Sequence, residues 1–383
     1  MWRTNLLFVV ILSLTGCQPA MNHAIPDRES RVRTYIRSVL ASGKSPGLQY
    51  LLLSADSILF SHCGGSADIA SHRPMDPHTT MMFYSMTKTI TAAAVLQLVE
   101  RGVIRLDDPL RKYLPDIPYG DELKIRHLLS QTSGIPNPIP LRWVHLVSEH
   151  QGFDEQAALR DILRRNDELE FPPGERYAYA NISSWLLGAL IRAVTGDSYE
   201  EYVRVNVIRR LGIPETEMDF TIPSPGLHAK GYLPEISLMN MFKALFIDGK
   251  YVGDYEDDWL HIKEHYLNGP AFGGLVGTSR ALGIFLQDML KPESGLLGND
   301  TRAKFFEQQV SNSGEPVPMT LGWHVSSEDG VRYFFKEGGG GGFHCEMRIY
   351  PAQSVASVVL SNSTEFDVDG FLSTADKEFF TVP

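Results

Sequence analysis

A serine and a lysine lie one helical turn apart in Ser85-Met86-Thr87-Lys88. The residues that follow, up to Glu100, are rich in alanine, leucine and valine and stop at Arg101-Gly102, which predicts a helix beginning near Ser85. Residues three apart share a helix face, and a partly desolvated lysine can take the proton of a serine nucleophile. The spacing therefore indicates nucleophilic catalysis, although four residues alone also fit a capping serine beside a solvated lysine.

Two further segments carry side chains suited to the same chemistry. Tyr179 and Asn181 lie two residues apart in a turn-rich approach to a predicted helix, so in an extended chain both point the same way. A strand-like run begins at Val331 and reaches Lys336-Glu337-Gly338, where a run of glycines starts. The chain thus offers a phenol, an amide and a second amine for one site.

These three motifs, in this order and at wide spacing, resemble the serine β-lactamase and penicillin-binding-protein superfamily. The likeness is greatest to its branch of class C β-lactamases, DD-peptidases and related esterases. His127–Gly134 and Gly273-Gly274-Leu275 resemble further segments of that branch. The resemblance implies an α/β fold of the β-lactamase/transpeptidase type, in which helices flank a five-stranded antiparallel sheet and a mostly helical domain is inserted.

The order of predicted elements divides the mature chain accordingly. Residues 27–115 and 269–383 are expected to form the α/β domain, and residues 116–268 the helical domain. Period-two and helical patterns place the strands and outer helices. The predicted strands are Gln49–Ser54, Ile58–Cys63, Thr320–Val325, Val331–Lys336, Phe343–Tyr350 and Ser354–Ser361, and the predicted terminal helices are Asp27–Ser42 and Asp367–Phe380.

The resemblance implies a catalytic role for three side chains. Ser85 would attack a carbonyl and become acylated, while Lys88 and Tyr179 would transfer protons. Either neutral Lys88 or a Tyr179 phenolate could be the base, and the sequence leaves both open. The chemistry requires no metal and no organic cofactor.

The resemblance also implies a substrate-binding role for residues of the second and third motifs. Lys336 would supply positive charge beside the tyrosine, and Asn181 would bind a substrate amide or orient the catalytic lysine. Gly338 and Gly339 would let substrate approach the strand, with the N–H of Gly339 completing an oxyanion hole with that of Ser85.

Glu337 departs from the family pattern, which usually has threonine or serine between the lysine and the glycine of this motif. In the cleft its carboxylate would repel a substrate carboxylate by about 1–4 kcal/mol. Alternation along a strand could instead turn Glu337 away from the cleft. The first case favours esters, amides and substrates bearing an amine over penicillins and peptides that end in free D-alanine. The expected partner is a small-molecule ester, amide or peptide substrate.

The predicted function is therefore hydrolysis of esters or amides through an acyl-enzyme, of the esterase or D-amino-acid peptidase type. A β-lactamase or DD-carboxypeptidase is the first alternative, and a non-catalytic cell-wall-binding lipoprotein the second. The net charge of −11 comes from 35 basic and 46 acidic residues, without a basic run, so a nucleic-acid partner is not expected.

The N-terminus has the pattern of an export signal. Arg3 precedes the apolar run Leu6–Leu12, which is too short to span a bilayer. Leu14-Thr15-Gly16-Cys17 then resembles the lipobox of bacterial lipoproteins, with an ordinary secretory signal as the alternative. Residues 1–16 are the expected signal peptide, 17–26 the tether, and Cys17 the site of lipidation. The chain would be anchored in the cell envelope, facing the periplasm, and Gln18 favours the outer membrane.

Three other features remain. Ile236–Asn268 carries an apolar stripe that predicts an extra helix packed on the core, with a lid over the cleft or a membrane contact as alternatives. His261-Ile262-Lys263-Glu264-His265 fits a metallopeptidase pattern, but its acidic surroundings favour a solvated helix with incidental histidines. By the implied fold, Cys63 and Cys345 lie on strands that are not neighbours, so separate thiols are expected.

Overall fold

The computed structural model describes residues 27–138, 143–243 and 247–380. The expected signal peptide, the tether and the lipidation site Cys17 lie outside the described residues. So do Leu245 and Phe246, two members of the apolar stripe.

The largest sheet is antiparallel and has seven strands rather than five. Five of them are long, and a short strand is added at each edge. The strands, in spatial order, are β12 (His324–Glu328), β13 (Val331–Gly340), β14 (Phe343–Tyr350), β15 (Val355–Ser361), β1 (Gly47–Ser54), β2 (Ile58–Asp68) and β3 (Arg73–Pro74).

Strand β1 is buried from both sides, which makes the sheet the middle layer of the fold. Its side chains Leu48, Tyr50 and Leu52 pack with those of the terminal helices α1 (Arg28–Ala41) and α11 (Val368–Ala375). Alternate residues of a strand face opposite sides, so the remaining side chains join the larger core. There α9 (Ser279–Leu290) covers β1 and β15.

Helix α2 (Thr87–Glu100) lies at the centre of the larger core. Every residue from Thr87 to Leu98 is buried, as is typical of a helix that is surrounded on all sides. Its neighbours include α8 (Pro270–Gly273) and α10 (Asn299–Phe306). This burial holds α2 in a fixed position. The N-terminal end of the helix directly follows the turn that contains Ser85.

Residues 116–268, the expected inserted domain, combine helices with strands that the sequence analysis did not predict. Its helices are α3 (Ile125–Leu129), α4 (Glu155–Arg165), α5 (Asn181–Thr195), α6 (Tyr199–Val203) and α7 (Leu238–Met241). Short strands predominate after residue 217. The pairs and small sheets are β5 (Val144–Leu146) with β10 (His265–Leu267), β6 (Met218–Asp219) with β11 (Val276–Gly277) and β4 (Met81–Met82), and β7 (Gly231–Pro234) with β9 (Trp259–Ile262) and β8 (Val252–Glu256).

Among the described residues of 236–268, the expected extra helix packed on the core is not found. Only one turn, α7, is helical within Ile236–Met241, and the side chains of Ile236, Leu238 and Met241 are 96%, 73% and 66% exposed. The buried residue of this turn is Asn240, whose amide donates hydrogen bonds to two backbone carbonyls. Tertiary contacts thus orient the turn by its polar residue rather than by its apolar stripe.

The predictions for the histidine pattern and for the two cysteines have different outcomes. His261 and His265 lie on β9 and β10, not on a helix, and His265 is buried. Cys63 and Cys345 are free thiols on β2 and β14, with β15 and β1 between them, as expected. Within the described ranges, no set of His, Cys, Asp or Glu side chains is arranged to hold a metal ion. No helix in those ranges is long and apolar enough to cross a membrane.

Candidate active site

Ser85 lies in the 3₁₀ turn Tyr84–Met86, immediately before α2. Its Oγ accepts two hydrogen bonds of 2.7 Å, one from Lys88 Nζ and one from the hydroxyl of Tyr179. The structure therefore brings together the three side chains to which the sequence assigned catalysis.

Lys88 is enclosed at the start of α2 and is only 4% exposed. Its Nζ also donates a 2.6 Å hydrogen bond to the carbonyl of Phe272 in α8. Burial, together with the positive charge of Lys336, holds the pKa of Lys88 well below its ordinary value. Lys88 can therefore lose its proton and act as a neutral amine more readily than an ordinary lysine.

Tyr179 lies in the extended segment before α5, and Gln131 holds that segment in place. The backbone carbonyl of Gln131 accepts from the N–H of Ala178 at 2.9 Å, and its side-chain Oε1 accepts from the N–H of Ala180 at 2.6 Å. The backbone N–H groups of the residues before and after the tyrosine are fixed in this way. Burial raises the pKa of Tyr179 well above its ordinary value, so the phenol keeps its proton at neutral pH.

Lys336 projects from β13 and is almost fully buried, with 1% exposed. Its Nζ lies 5.0 Å from the centroid of the Tyr179 ring, the same distance as Lys88 Nζ. Burial lowers the pKa of Lys336 to about 7, while the charge of Glu337 acts in the opposite direction. Lys336 therefore carries a positive charge on part of the molecules at neutral pH.

Asn181 is the first residue of α5 and contacts Asn137, which the sequence analysis did not select. The backbone N–H and the Nδ2 of Asn181 both donate to Asn137 Oδ1, at 3.0 and 3.2 Å. The Nζ of Lys88 has Ser85 Oγ and the Phe272 carbonyl as its acceptors instead. Asn181 is therefore oriented by a neighbouring loop and does not itself orient Lys88.

The glycines that follow Glu337 lie against the segment that contains Ser85. Gly338, Gly339 and Gly340 belong to β13, so the strand extends into the run of glycines. A Cβ on Gly338 would lie 2.2 Å from the carbonyl oxygen of Phe83 and 3.0 Å from the Ser85 nitrogen. Only glycine permits this approach, which brings the end of β13 beside the first N–H groups of the nucleophile turn.

The family model described as Beta-lactamase matches residues 32–377. The chain belongs to the Beta-lactamase family.

Two curated relatives illustrate the range of the family. "Protein flp" of Staphylococcus aureus (strain MW2) is 26% identical over 350 residues, which are 88% of this chain and 63% of that protein. "Penicillin-binding protein 4*" of Bacillus subtilis (strain 168) is 24% identical over 321 residues, 82% of this chain and 68% of that protein. The chain thus spans less than two thirds of the first of these relatives.

Solved structures show the same fold. The octameric penicillin-binding protein homologue from Pyrococcus abyssi matches with a TM-score of 0.74 and 22% identity, over 91% of this chain and 76% of that one. The D-amino acid amidase from Ochrobactrum anthropi SV3, complexed with L-phenylalanine amide, matches with a TM-score of 0.75 and 19% identity, over 92% and 96%. At these identities the likeness establishes the β-lactamase/transpeptidase type of fold.

Glu337, the departure from the family pattern, does not lie beside Lys336. In β13 the side chains of Lys336 and Glu337 point to opposite faces of the sheet, and Glu337 Oε1 pairs with His344 Nε2 at 2.6 Å. Strand alternation thus directs the Glu337 carboxylate to His344, and a role of Glu337 in substrate binding stays a prediction. The pair holds the pKa of Glu337 below its ordinary value and raises that of His344 against the effect of burial.

His324, at the start of β12, is a neighbour of this Beta-lactamase-family site that the sequence analysis missed. Its ring stacks on that of Tyr179 with centroids 6.3 Å apart, and its Nε2 lies 3.1 Å from the Tyr177 hydroxyl. Burial, with Lys336 and Lys88 nearby, lowers its pKa to about 2, so the imidazole is neutral. No spacing signal could find it, because it is 147 residues from Tyr177.

Proposed function

We propose that this protein is a serine hydrolase that hydrolyses esters or amides through an acyl-enzyme on Ser85, of the esterase or D-amino-acid peptidase type. One observation carries the proposal: Ser85 Oγ lies 2.7 Å from both the Nζ of Lys88 and the hydroxyl of Tyr179. A hydroxyl held between an amine and a phenol has both a proton acceptor and a proton donor within reach.

The electrostatics support neutral Lys88 as the base of the first step. With one N–H bound to the Phe272 carbonyl, a neutral amine has its lone pair free for the Ser85 proton. As that proton moves to Lys88, Ser85 Oγ forms a bond to the substrate carbonyl carbon and the carbonyl oxygen becomes an oxyanion. The N–H groups of Ser85 and Gly339 would stabilise this oxyanion, and each such donor contributes about 10²–10³ in rate.

Tyr179 is suited to be the acid of the next step, because its raised pKa keeps the phenol protonated. When the carbon–leaving-group bond breaks, the phenol donates its proton to the leaving oxygen or nitrogen and recovers one from the Lys88 ammonium. Water then attacks the acyl group, its proton passes back through the same pair, and the Ser85 hydroxyl is restored. The relay leaves both groups as they began.

Neutral esters and D-amino-acid amides are the proposed substrates. Solved structures of the same fold include a D-amino acid amidase and a D-stereospecific amidohydrolase from Streptomyces sp.. This likeness favours esters and D-amino-acid amides over a β-lactam or a peptide with a free carboxylate.

Reaction of the purified protein with a fluorophosphonate probe, followed by mass spectrometry, tests the proposal. Ser85 should carry the adduct and Ser85→Ala should carry none. Turnover is then compared for p-nitrophenyl esters, D-amino-acid amides and a chromogenic cephalosporin, with the first two expected to be preferred. A wild type that forms no adduct supports the non-catalytic alternative, and efficient cephalosporin hydrolysis supports a β-lactamase.

A second proposal concerns location. The lipobox-like Leu14–Cys17 supports acylation of Cys17 and anchoring in the cell envelope, facing the periplasm. In cell fractionation, the wild type should partition into detergent, whereas Cys17→Ser should stay in the aqueous phase. Cys63→Ser is the matched control, because it removes a different cysteine and should leave partitioning unchanged.

A further inference from the structure

Tyr84, the residue before the nucleophile, has an unusual backbone conformation. Its φ angle is +44°, in the left-handed region that a bulky side chain rarely adopts. The residue is nevertheless buried, with 4% exposed. Strain of this kind persists only where the surrounding structure holds it in place, and it is concentrated at functional sites.

The side chain of Tyr84 reaches the far end of β13. Its hydroxyl donates a 2.7 Å hydrogen bond to the carbonyl oxygen of Gly341. Its ring lies against Gly340, where a Cβ would come within 2.5 Å of two ring carbons. One residue thus joins the segment before α2 to the glycine end of the strand, both by a hydrogen bond and by direct packing.

His265 lies on the other side of the same hydroxyl. Its Nε2 is 3.2 Å from the Tyr84 oxygen, and its Nδ1 is 2.8 Å from the carbonyl of Lys263. Because a carbonyl can only accept, Nδ1 carries the proton of a neutral ring and Nε2 is left as an acceptor. The Tyr84 proton is therefore held between two acceptors, Gly341 O and His265 Nε2.

The outer side of the glycine turn is fixed as well. Gly342 donates its N–H to Thr364 Oγ1 at 2.7 Å, and its carbonyl accepts from the N–H of Tyr232 at 3.1 Å. Its Cα lies so close to Gly231 in β7 that a Cβ would not fit. Contacts on the outside hold the turn to β7, and Tyr84 holds it to the nucleophile segment.

The contacts of Tyr84 with the glycine end of β13 are important because the two oxyanion donors come from different elements. The N–H of Ser85 belongs to the turn before α2, whereas that of Gly339 belongs to β13, and an oxyanion requires both at about 3 Å. We propose that Tyr84 is a positioning residue, which holds the glycine end of β13 in register with Ser85 so that these two N–H groups converge on the oxyanion. The inference rests on the proposed function.

Tyr84→Phe tests it, with Tyr119→Phe as the matched control. Tyr119 is also buried, and its hydroxyl also donates to a backbone carbonyl, that of Asn166, at 2.6 Å. We expect Tyr84→Phe to lower kcat for a p-nitrophenyl ester about 3- to 10-fold at unchanged KM. Its affinity for phenylboronic acid, which forms a tetrahedral adduct on the serine, should fall by the same factor. Tyr119→Phe should lower Tm without changing either quantity.

Gly340→Ala provides a second variant, which retains the Tyr84 hydroxyl. The added methyl would push the strand away from the ring, so the same loss of kcat and of boronate affinity is expected. If both folded variants keep the wild-type kcat and the wild-type affinity for phenylboronic acid, this inference is overturned while the proposed function stands. A wild type that forms no fluorophosphonate adduct would overturn the proposed function and this inference with it.

Discussion

The Nζ of Lys336 lies 5.0 Å from the centroid of the Tyr179 ring, although the two residues are far apart in the sequence. Lys336 reaches this position from β13, whereas Tyr179 is held by the loop after α3. A positive charge at this distance stabilises negative charge on the phenol oxygen as its proton leaves. The protonation of Lys336 should therefore control the rate.

The first prediction concerns the alkaline limb of the pH–rate profile. Because burial lowers the pKa of Lys336 to about 7, kcat/KM should fall above that pH as the charge is lost. Lys336→Arg keeps its charge at all accessible pH values, so it should move the limb upward by at least one unit. The profile is measured with a neutral p-nitrophenyl ester, and an unmoved limb in a folded arginine variant would show that Lys336 does not cause it.

The second prediction concerns stability. The folded pKa of Lys336 is about 7 and the ordinary value is 10.5, so between these pH values the unfolded chain binds more protons. Lys336 therefore lowers the free energy of unfolding most at about pH 7 and below. This cost decreases as the pH rises from 7 towards 10.5. Lys336→Met should flatten the dependence of Tm on pH between 7 and 10 and raise Tm at pH 7. Lys304→Met, which alters an exposed lysine, should leave the slope unchanged.

The third prediction concerns proton transfer by Tyr179. Tyr179→Phe removes the 2.7 Å hydrogen bond to Ser85 Oγ and should lower kcat about 10²- to 10⁴-fold, with KM within about twofold. Tyr177→Phe is the control, because that hydroxyl contacts His324 instead of the nucleophile. Equal losses in the two variants, measured by steady-state kinetics, would assign the effect to packing rather than to proton transfer.

The fourth prediction follows from the position of Glu337. Since its carboxylate lies on the sheet face opposite to Lys336, Glu337→Thr should change the ratio of activities on carboxylate-bearing and neutral substrates by less than about twofold. A shift of more than about fivefold would mean that the carboxylate acts in the cleft.

The same variant has a stability signature. The pair with Glu337 raises the pKa of His344, so its stabilisation is present at low pH and is lost as pH rises through the folded value of His344. Glu337→Thr should therefore lower Tm more at pH 6 than at pH 8. Because Glu337 is half-exposed, the effect should be about 1 kcal/mol or less. His344→Gln should give the same difference between the two pH values.

Local spacing accounts for the part of the site that the sequence predicted well. Ser85 and Lys88 belong to consecutive turns of one short segment, so their separation follows from helix geometry alone. The long strands and the terminal helices were also recognisable, because period-two and helical patterns extend over many residues there. Short strands within residues 116–268 gave no such signal, and tertiary contacts decided the two to five residues of each.

Relations between distant elements depended on the tertiary structure. Alternation along β13 always placed Lys336 and Glu337 on opposite faces, but only the packed fold decided which face met Tyr179. The partnership of Asn181 with Asn137 and the position of His324 had no counterpart in sequence spacing. By itself the sequence determined which chemical groups the chain carries and how they lie within one element. The fold decided which elements meet, because the burial that fixes them is a property of the whole core.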